Sequence, residues 1–180
     1  MSSALILLFD GVEKVEAISV IDVLRRGRID VTTASIKNTV VTGAHQVKLT
    51  ADVVGIPKNI YDVVVIPGGP GVLALRHNAQ IENLIQKQYE SSRLVAAICA
   101  APIILNDLGI LEKHRHTAHF SMVNNLPNAR LHEMVVTDGH VITACGPAAG
   151  INFGLAILEH LTTVDSAKEV AHAMMCDASL

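Results

Sequence analysis

Aromatic residues are scarce in this chain, which has no tryptophan, two tyrosines and three phenylalanines. Half of its 180 residues are nevertheless hydrophobic, so the core must be built from valine, isoleucine, leucine and alanine. Such residues suit parallel strands that are covered by helices on both faces. The composition therefore favours an α/β protein, and the length predicts one domain over residues 1–180.

Long hydrophobic runs and an excess of charge are also lacking. No segment approaches the roughly 20 apolar residues that cross a bilayer, and the formal net charge is only −3. We therefore expect neither a membrane nor a nucleic acid as a partner. The first residues lack a basic leader and a cleavage site, which predicts no export signal. Because the three cysteines form neither an even set nor a CxxC pair, the expected location is the reducing cytoplasm.

Signatures of bound nucleotides and metals are missing as well. Gly68 and Gly69 are not part of a GxGxxG motif, and no GK[ST] sequence follows them, so no nucleotide cofactor is expected. His114, His116 and His119 suggest a metal site, but only the first two have the spacing that shares one face of a strand. No acidic or thiol ligand is close to them in sequence. We therefore expect no metal and no cofactor.

What the sequence does contain is a regular alternation of short apolar runs and helically spaced hydrophobic residues. Parallel strands joined by helical crossovers give an α/β, doubly wound, three-layer sandwich with a mainly parallel central sheet. The strands are expected at 4–9, 29–36, 61–67, 94–98 and near 117–119, with hairpins at 40–49 and 133–144, and the helices at 15–26, 81–91, 102–108, 147–161 and 164–175.

Cys99 lies where the apolar run 94–98 turns sharply into a helix. A thiolate at that junction faces the unpaired N–H groups and the dipole of the helix, which stabilise its charge. This placement predicts a nucleophile. The alternative is a small residue that simply packs well at a tight turn.

Glu16 is expected at the same edge of the sheet, because ligands of such folds bind beyond the carboxyl ends of the strands. A protonated Glu16 would donate a hydrogen bond to the thiolate, whereas an ionised Glu16 would act as a general base. The alternative is a solvated helix charge beside Glu13 and Lys14.

Four further features converge on this edge. The backbone N–H groups of Gly68 and Gly69 are candidates for an oxyanion hole, or the pair simply forms a tight turn. His119 is a candidate proton shuttle for Cys99, with a structural histidine as the alternative. Cys145, just before the Gly-Pro pair at 146–147, is either a redox partner of Cys99 or a small core residue.

Taken together, these residues resemble the ThiJ/PfpI superfamily, and specifically its DJ-one branch, over residues 4–161. The resemblance rests on the motifs at 10–16, 62–69, 96–102 and 146–147. It implies a flavodoxin-like homodimer in which Cys99 is a nucleophilic, oxidisable cysteine at a nucleophile elbow. Glu16 would be hydrogen-bonded to it, and His119 matches the active-site histidine of the branch.

The resemblance also implies an activity. Members of the branch act as cofactor-free glyoxalases that convert methylglyoxal to lactate, as deglycases of early adducts on amines and thiols, and as redox-responsive protective proteins. The expected partner is thus a small 2-oxoaldehyde or a glycated adduct. Its oxygen would be held near Gly68, Gly69 and Ala100, beside Gly146 and Pro147. The alternative is a non-catalytic redox sensor or chaperone-like protein that uses oxidation of Cys99.

Two departures from the pattern narrow this expectation. Ala100 stands where the protease-like branch has a histidine directly after the cysteine, which argues against peptidase activity. Ala144 and Cys145 replace the usual Ser-Arg or Ser-Gln, and His45 replaces an arginine near the first hairpin. An anion pocket built from those arginines is therefore not expected.

Overall fold

The computed structural model describes residues 1–176, and a seven-stranded sheet runs through its centre. The strands are β1 (Ser3–Leu8), β2 (Asp30–Ser35), β3 (Val40–Thr42), β4 (Lys48–Thr50), β5 (Val53–Val54), β6 (Val63–Ile66), β7 (Leu94–Ile98), β8 (Val135–Asp138) and β9 (Val141–Ala144). The sheet has the order β5-β2-β1-β6-β7-β9-β8, and every neighbouring pair is parallel except β8 and β9. Strands β3 and β4 form a separate antiparallel hairpin.

Five α-helices cover the two faces of this sheet among the described residues. They are α1 (Lys14–Arg26), α2 (Ala79–Glu90), α3 (Pro102–Asp107), α4 (Gly150–Leu161) and α5 (Val164–Ala173). Side chains of α4, α5 and most of α1 share one buried core, and those of α2 and α3 share the other, which Ala17 of α1 also joins. The predicted three-layer sandwich is confirmed.

Alternate residues of the central strands enter opposite cores. In β1, Leu5 and Leu7 pack on the side of α2 and α3, whereas Ala4 and Ile6 pack on the side of α1 and α4. Side chains alternate because a strand has a period of two. Since both faces are buried, the strands appear in the sequence as unbroken hydrophobic runs rather than as alternating patterns.

Helices α1 and α4 approach each other closely through glycines. A Cβ placed on Gly154 would lie 2.9 Å from the Cβ of Val23, and one on Gly150 would lie 3.1 Å from the Cβ of Ser19. The two glycines are four residues apart and therefore share one helix face. Gly150 also brings α4 within 3.7 Å of the Glu16 Cα by the same measure, so this contact fixes the beginning of α1.

The strand order reverses between β1 and β6. In an open parallel sheet, the crevice at such a switch point lies beyond the carboxyl ends of the strands and is the usual ligand site. Helix α1 follows β1, the Gly68–Gly69 turn follows β6, and Cys99 follows β7. The fold therefore brings together three of the elements that the sequence singled out.

The strand predicted near 117–119 is wrong, because residues 115–119 carry no strand. The Thr117 N–H donates instead to Thr143 Oγ1 at 2.9 Å, and the Thr117 hydroxyl donates to the Glu133 carbonyl at 2.9 Å. The place beside β7 in the sheet is taken by β9. The helix predicted to open at 147 begins as a 3₁₀ turn at Pro147–Ala149 before α4.

The α1–α4 contact predicts a stability effect for Gly154→Ala. Alanine is intrinsically favoured over glycine in a helix by about 1 kcal/mol, but here its Cβ overlaps Val23. We expect the variant to lower the free energy of unfolding by about 1–2 kcal/mol, as overpacking does. In a Val23→Ala background the loss should shrink, because the two Cγ atoms of Val23, 3.1 and 3.2 Å from the new Cβ, are removed and only its Cβ at 2.9 Å remains in the way. Urea denaturation of the four proteins measures this coupling, and an equal cost in both backgrounds would contradict the packing.

Candidate active site

Cys99 sits on a strained turn between β7 and α3. Its φ of 66° lies in the left-handed region, which residues with a side chain seldom adopt. The Cys99 N–H donates to the Ala144 carbonyl and its own carbonyl accepts from the His119 N–H, both at 2.8 Å. This is the geometry of a nucleophile elbow. Cys99 is only 9% exposed, so only a small chemical group can reach the sulfur.

Glu16 is completely buried next to this elbow. Its Oε2 atom accepts a hydrogen bond from the Gly68 N–H at 2.7 Å, and its Oε1 atom has no hydrogen-bond partner among residues 1–176. A solvated helix charge is therefore excluded. A buried carboxyl with a free oxygen is costly to the fold, which is typical of groups retained for chemistry.

The backbone of Gly68 packs against both Cys99 and Glu16. A Cβ placed on Gly68 would lie 2.5 Å from the Cys99 Cβ and 2.7 Å from Glu16 Oε2. Only glycine therefore allows the two functional side chains to meet. The sequence suggested that the Gly68 N–H would bind a substrate oxygen. This N–H already donates to Glu16, so it is not available for that role.

The other two expected oxyanion donors face the sulfur. The N–H groups of Gly69 and Ala100 donate hydrogen bonds to Cys99, and both bonds lower the pKa of its thiol. Gly69 has a φ of 108° and packs so closely that a Cβ there would lie 2.4 Å from the Gly11 carbonyl oxygen. Its backbone donor is therefore held rigidly toward the site.

The electrostatics of the resting site contradict the expectation of a readily ionised thiol. Burial, reinforced by the Glu16 carboxyl, raises the pKa of Cys99 to about 12. Burial also raises the pKa of Glu16 to about 7, although its bond from the Gly68 N–H works in the opposite direction. Glu16 therefore ionises before Cys99 does. Near neutral pH, a protonated thiol lies beside a carboxylate that can take its proton.

His119 is tied to the elbow through its backbone and caps the turn at Phe120–Met122. Its Nδ1 atom accepts from the Ser121 N–H at 3.3 Å, so a neutral ring carries its proton on Nε2. A Cβ placed on Gly146 would lie 3.3 Å from His119 Cδ2. Gly146 thus leaves room for the imidazole, and Pro147 begins the next turn.

Cys145 is half-buried, and its N–H donates to the Met134 carbonyl at 2.9 Å. All three cysteines are free thiols, so a redox exchange between Cys145 and Cys99 stays a prediction. Within residues 1–176, no three histidine, cysteine or acidic side chains are grouped so that they can hold a metal ion. In that same part of the chain, no helix combines the length and apolar character needed to span a bilayer.

Sequence reasoning missed Glu13 and Lys14, which lie three and two residues before Glu16. Glu13 is only 8% exposed, accepts from the Val15 N–H at 3.2 Å and lies 3.0 Å from Lys14 Nζ. From the sequence, this pair was named only as the neighbours of Glu16 and was given no role. The position of Glu13 in the sequence could have indicated its burial, because Glu13 is the N-cap of a helix that begins at the edge where the strands end.

Comparison with known proteins defines the class of protein to which this fold and site belong. The model of the DJ-1/PfpI family matches residues 2–160, and the chain belongs to that family. It is 35% identical to Protein DJ-1 homolog A of Arabidopsis thaliana over 96% of its own length, but it spans only 46% of that relative.

Two further relatives are covered almost completely. The chain is 34% identical to the glutathione-independent glyoxalase DJR-1.2 of Caenorhabditis elegans, over 88% of each protein. The crystal structure of DJ-1beta from Drosophila melanogaster superposes with a TM-score of 0.92 at 34% identity, covering 99% of this chain and 100% of the other. The mainly parallel α/β fold is therefore shared with this family.

The buried carboxyl predicts that Glu16→Gln changes stability in a pH-dependent way. Raising the pKa of Glu16 from 4.5 to about 7 makes the folded state hold a proton that the unfolded state has lost. As the pH rises from 4.5 to about 7, the free energy of unfolding of the wild-type protein therefore falls by about 3 kcal/mol. Glutamine does not ionise and avoids this loss.

We expect Glu16→Gln to be more stable than the wild-type protein above pH 7, with the difference shrinking as the pH falls toward 4.5. Urea denaturation at pH 8 and pH 5 measures the change. A variant that is less stable by the same amount at both pH values would show that the carboxyl is not strained by burial.

Proposed function

We propose that this protein is a cofactor-free glyoxalase that converts a small 2-oxoaldehyde into a 2-hydroxy acid, with Cys99 as nucleophile and Glu16 as general base. The observation that carries the proposal is the buried Glu16 carboxyl, held by Gly68 against a cysteine on a left-handed elbow. Its similarity to a worm relative named as a glyoxalase supports the same reaction class.

The first step forms a hemithioacetal. The Glu16 carboxylate accepts the proton of the Cys99 thiol while the sulfur attacks the aldehyde carbon of the substrate. Negative charge then moves from sulfur to the former aldehyde oxygen. That oxygen is only two bonds from the sulfur, so the N–H groups of Gly69 and Ala100, which face the sulfur in the resting site, are placed to stabilise it.

The second stage moves a proton between the two reacting carbons. The former aldehyde carbon loses its hydrogen as a proton, the neighbouring carbon gains one, and the product is a thioester of the 2-hydroxy acid on Cys99. Glu16, His119 or a water molecule carries the proton. Water then hydrolyses the thioester and restores the thiol, so the net reaction adds one water and needs no oxidant or reductant.

The narrow access to Cys99 limits the substrate. A sulfur on a residue that is 9% exposed suits methylglyoxal better than a bulky aldehyde. We include deglycation of early adducts on amines and thiols in the proposal, because these adducts present the same small carbon skeleton at the end of a flexible side chain.

Lactate formation from methylglyoxal without glutathione tests the mechanism. We expect Cys99→Ala to form no lactate and Glu16→Gln to lose about 100-fold or more in kcat/KM, as removal of a general base does. Cys176→Ala is the matched cysteine control and should behave like wild type. Because Glu16 must be ionised, kcat/KM should rise with pH through the Glu16 pKa of about 7.

Equal lactate formation by Cys99→Ala would refute the nucleophile. A wild-type protein that forms no lactate, but in which peroxide adds two oxygens selectively at Cys99, would instead support the redox-sensor alternative. Intact-mass measurement after graded peroxide separates these outcomes.

A homodimer belongs to the same proposal and is supported by the outer face of α1. Val15 is 45% and Ile18 is 48% exposed, and their spacing of three places them on one side of the helix. Ile18→Glu should give a monomer in sedimentation velocity, whereas Ile60→Glu, at a residue that is 73% exposed in the loop between β5 and β6, should leave the dimer intact. If the Ile18→Glu protein were still dimeric, the dimer interface would not lie on the outer face of α1.

A further inference from the structure

Two carboxyl groups, not one, are buried at the beginning of α1. Glu13 is 8% exposed and Glu16 is fully buried. Gly68 bonds to the backbone of one and the carboxyl of the other: its carbonyl accepts from the Glu13 N–H at 2.8 Å, and its N–H donates to Glu16 Oε2 at 2.7 Å. The proposed reaction uses only Glu16, so Glu13 needs another explanation.

The ammonium group of Lys14 forms an ion pair with Glu13. Lys14 Nζ lies 3.0 Å from Glu13 Oε1, and the two side chains are only 18% and 11% exposed. The same Nζ lies 2.7 Å from Nδ1 of His45, in the loop between β3 and β4. Because an ammonium group only donates hydrogen bonds, His45 Nδ1 accepts and the ring is neutral in this arrangement. Lys14 is thus fixed between a carboxylate and an imidazole.

We propose that Glu13 and Lys14 form a positioning pair that sets the charge of Glu16, and thereby the pH range in which Cys99 is activated. Neither residue touches the reacting atoms, so both act through Glu16. The proposal rests on the role given to Glu16 in the proposed function.

The physical basis is the balance of charges that face Glu16. The Cys99 thiol faces it from the elbow, the Gly68 N–H from the turn after β6, and Glu13 from its own helix. On the side of α4, the uncharged Gly150 packs against the Glu16 backbone. The charge of Glu13 raises the pKa of Glu16 in addition to the effect of burial. Lys14 offsets that charge, so its removal should strengthen the repulsion between the carboxylates.

The experiment titrates Glu16 directly by NMR in protein labelled with 13C at the glutamate carboxyls. The Glu16 signal is identified by its loss in Glu16→Gln. Glu13→Gln keeps an oxygen that accepts from the Val15 N–H but removes the charge, so the Glu16 pKa should fall by a fraction of one pH unit. In Lys14→Met the Glu16 pKa should rise by a similar fraction, because the Glu13 charge is then no longer offset.

Matched controls come from the exposed side of α5. Lys168→Met and Glu169→Gln remove the same two charges far from the site and should leave the Glu16 titration unchanged. Glu13→Asp retains a carboxylate at the helix N-cap and should return the Glu16 pKa toward the wild-type value. A purely structural role of Glu13 would not produce this charge-dependent rescue.

The outcomes separate this proposal from the proposed function. If Glu13→Gln and Lys14→Met titrate like the two controls, the positioning pair is refuted, whatever the enzyme activity. If the titration shifts but the wild-type protein forms no lactate, the glyoxalase fails and the pair stands. If lactate forms but the acid side of the kcat/KM profile does not follow the Glu16 titration, the link to Cys99 activation is refuted.

Discussion

The hydrogen bond from the Gly68 N–H to the Glu16 carboxyl is the interaction on which the site depends. It pairs Oε2 of the buried carboxyl with a backbone donor, and it holds the turn after β6 against the first turn of α1. The bond exists only because residue 68 has no side chain, since a Cβ would overlap both Glu16 and Cys99. One backbone group therefore fixes the distance between the base and the nucleophile.

The fold supports this bond through packing rather than through further polar contacts. Gly150 and Gly154 let α4 press on α1, and the two cores enclose the central strands completely. This rigid frame offsets the cost of burying a carboxyl, which a looser protein would relieve by letting Glu16 turn toward water. The strain at Cys99 is stored in the same way, because the bonds to Ala144 and His119 hold its left-handed backbone.

The strands and helices could largely be predicted from sequence because both carry a regular hydrophobic period, and the positions of Cys99, Glu16 and Gly68 followed from the carboxyl-end rule for parallel sheets. The segment 115–119 could not be predicted, because Thr117 bonds to Thr143, 26 residues away, instead of joining a ladder. The burial of Glu13 was also hidden, since a glutamate before a helix looks the same whether it faces water or a neighbouring loop. The raised pKa of Cys99 depends on burial, which no local motif encodes.

That raised pKa bears on the choice between catalysis and redox sensing. Redox-sensing cysteines are accessible and have a low pKa, because the thiolate reacts with peroxide. Cys99 is 9% exposed, and its pKa of about 12 keeps the sulfur protonated at rest. A thiol of high pKa gives a stronger nucleophile once its proton is removed, and Glu16 lies beside it to remove that proton. Cys99 and Glu16 should therefore react slowly with oxidants but readily with an aldehyde that enters the site. This favours the glyoxalase proposal over the redox-sensor alternative.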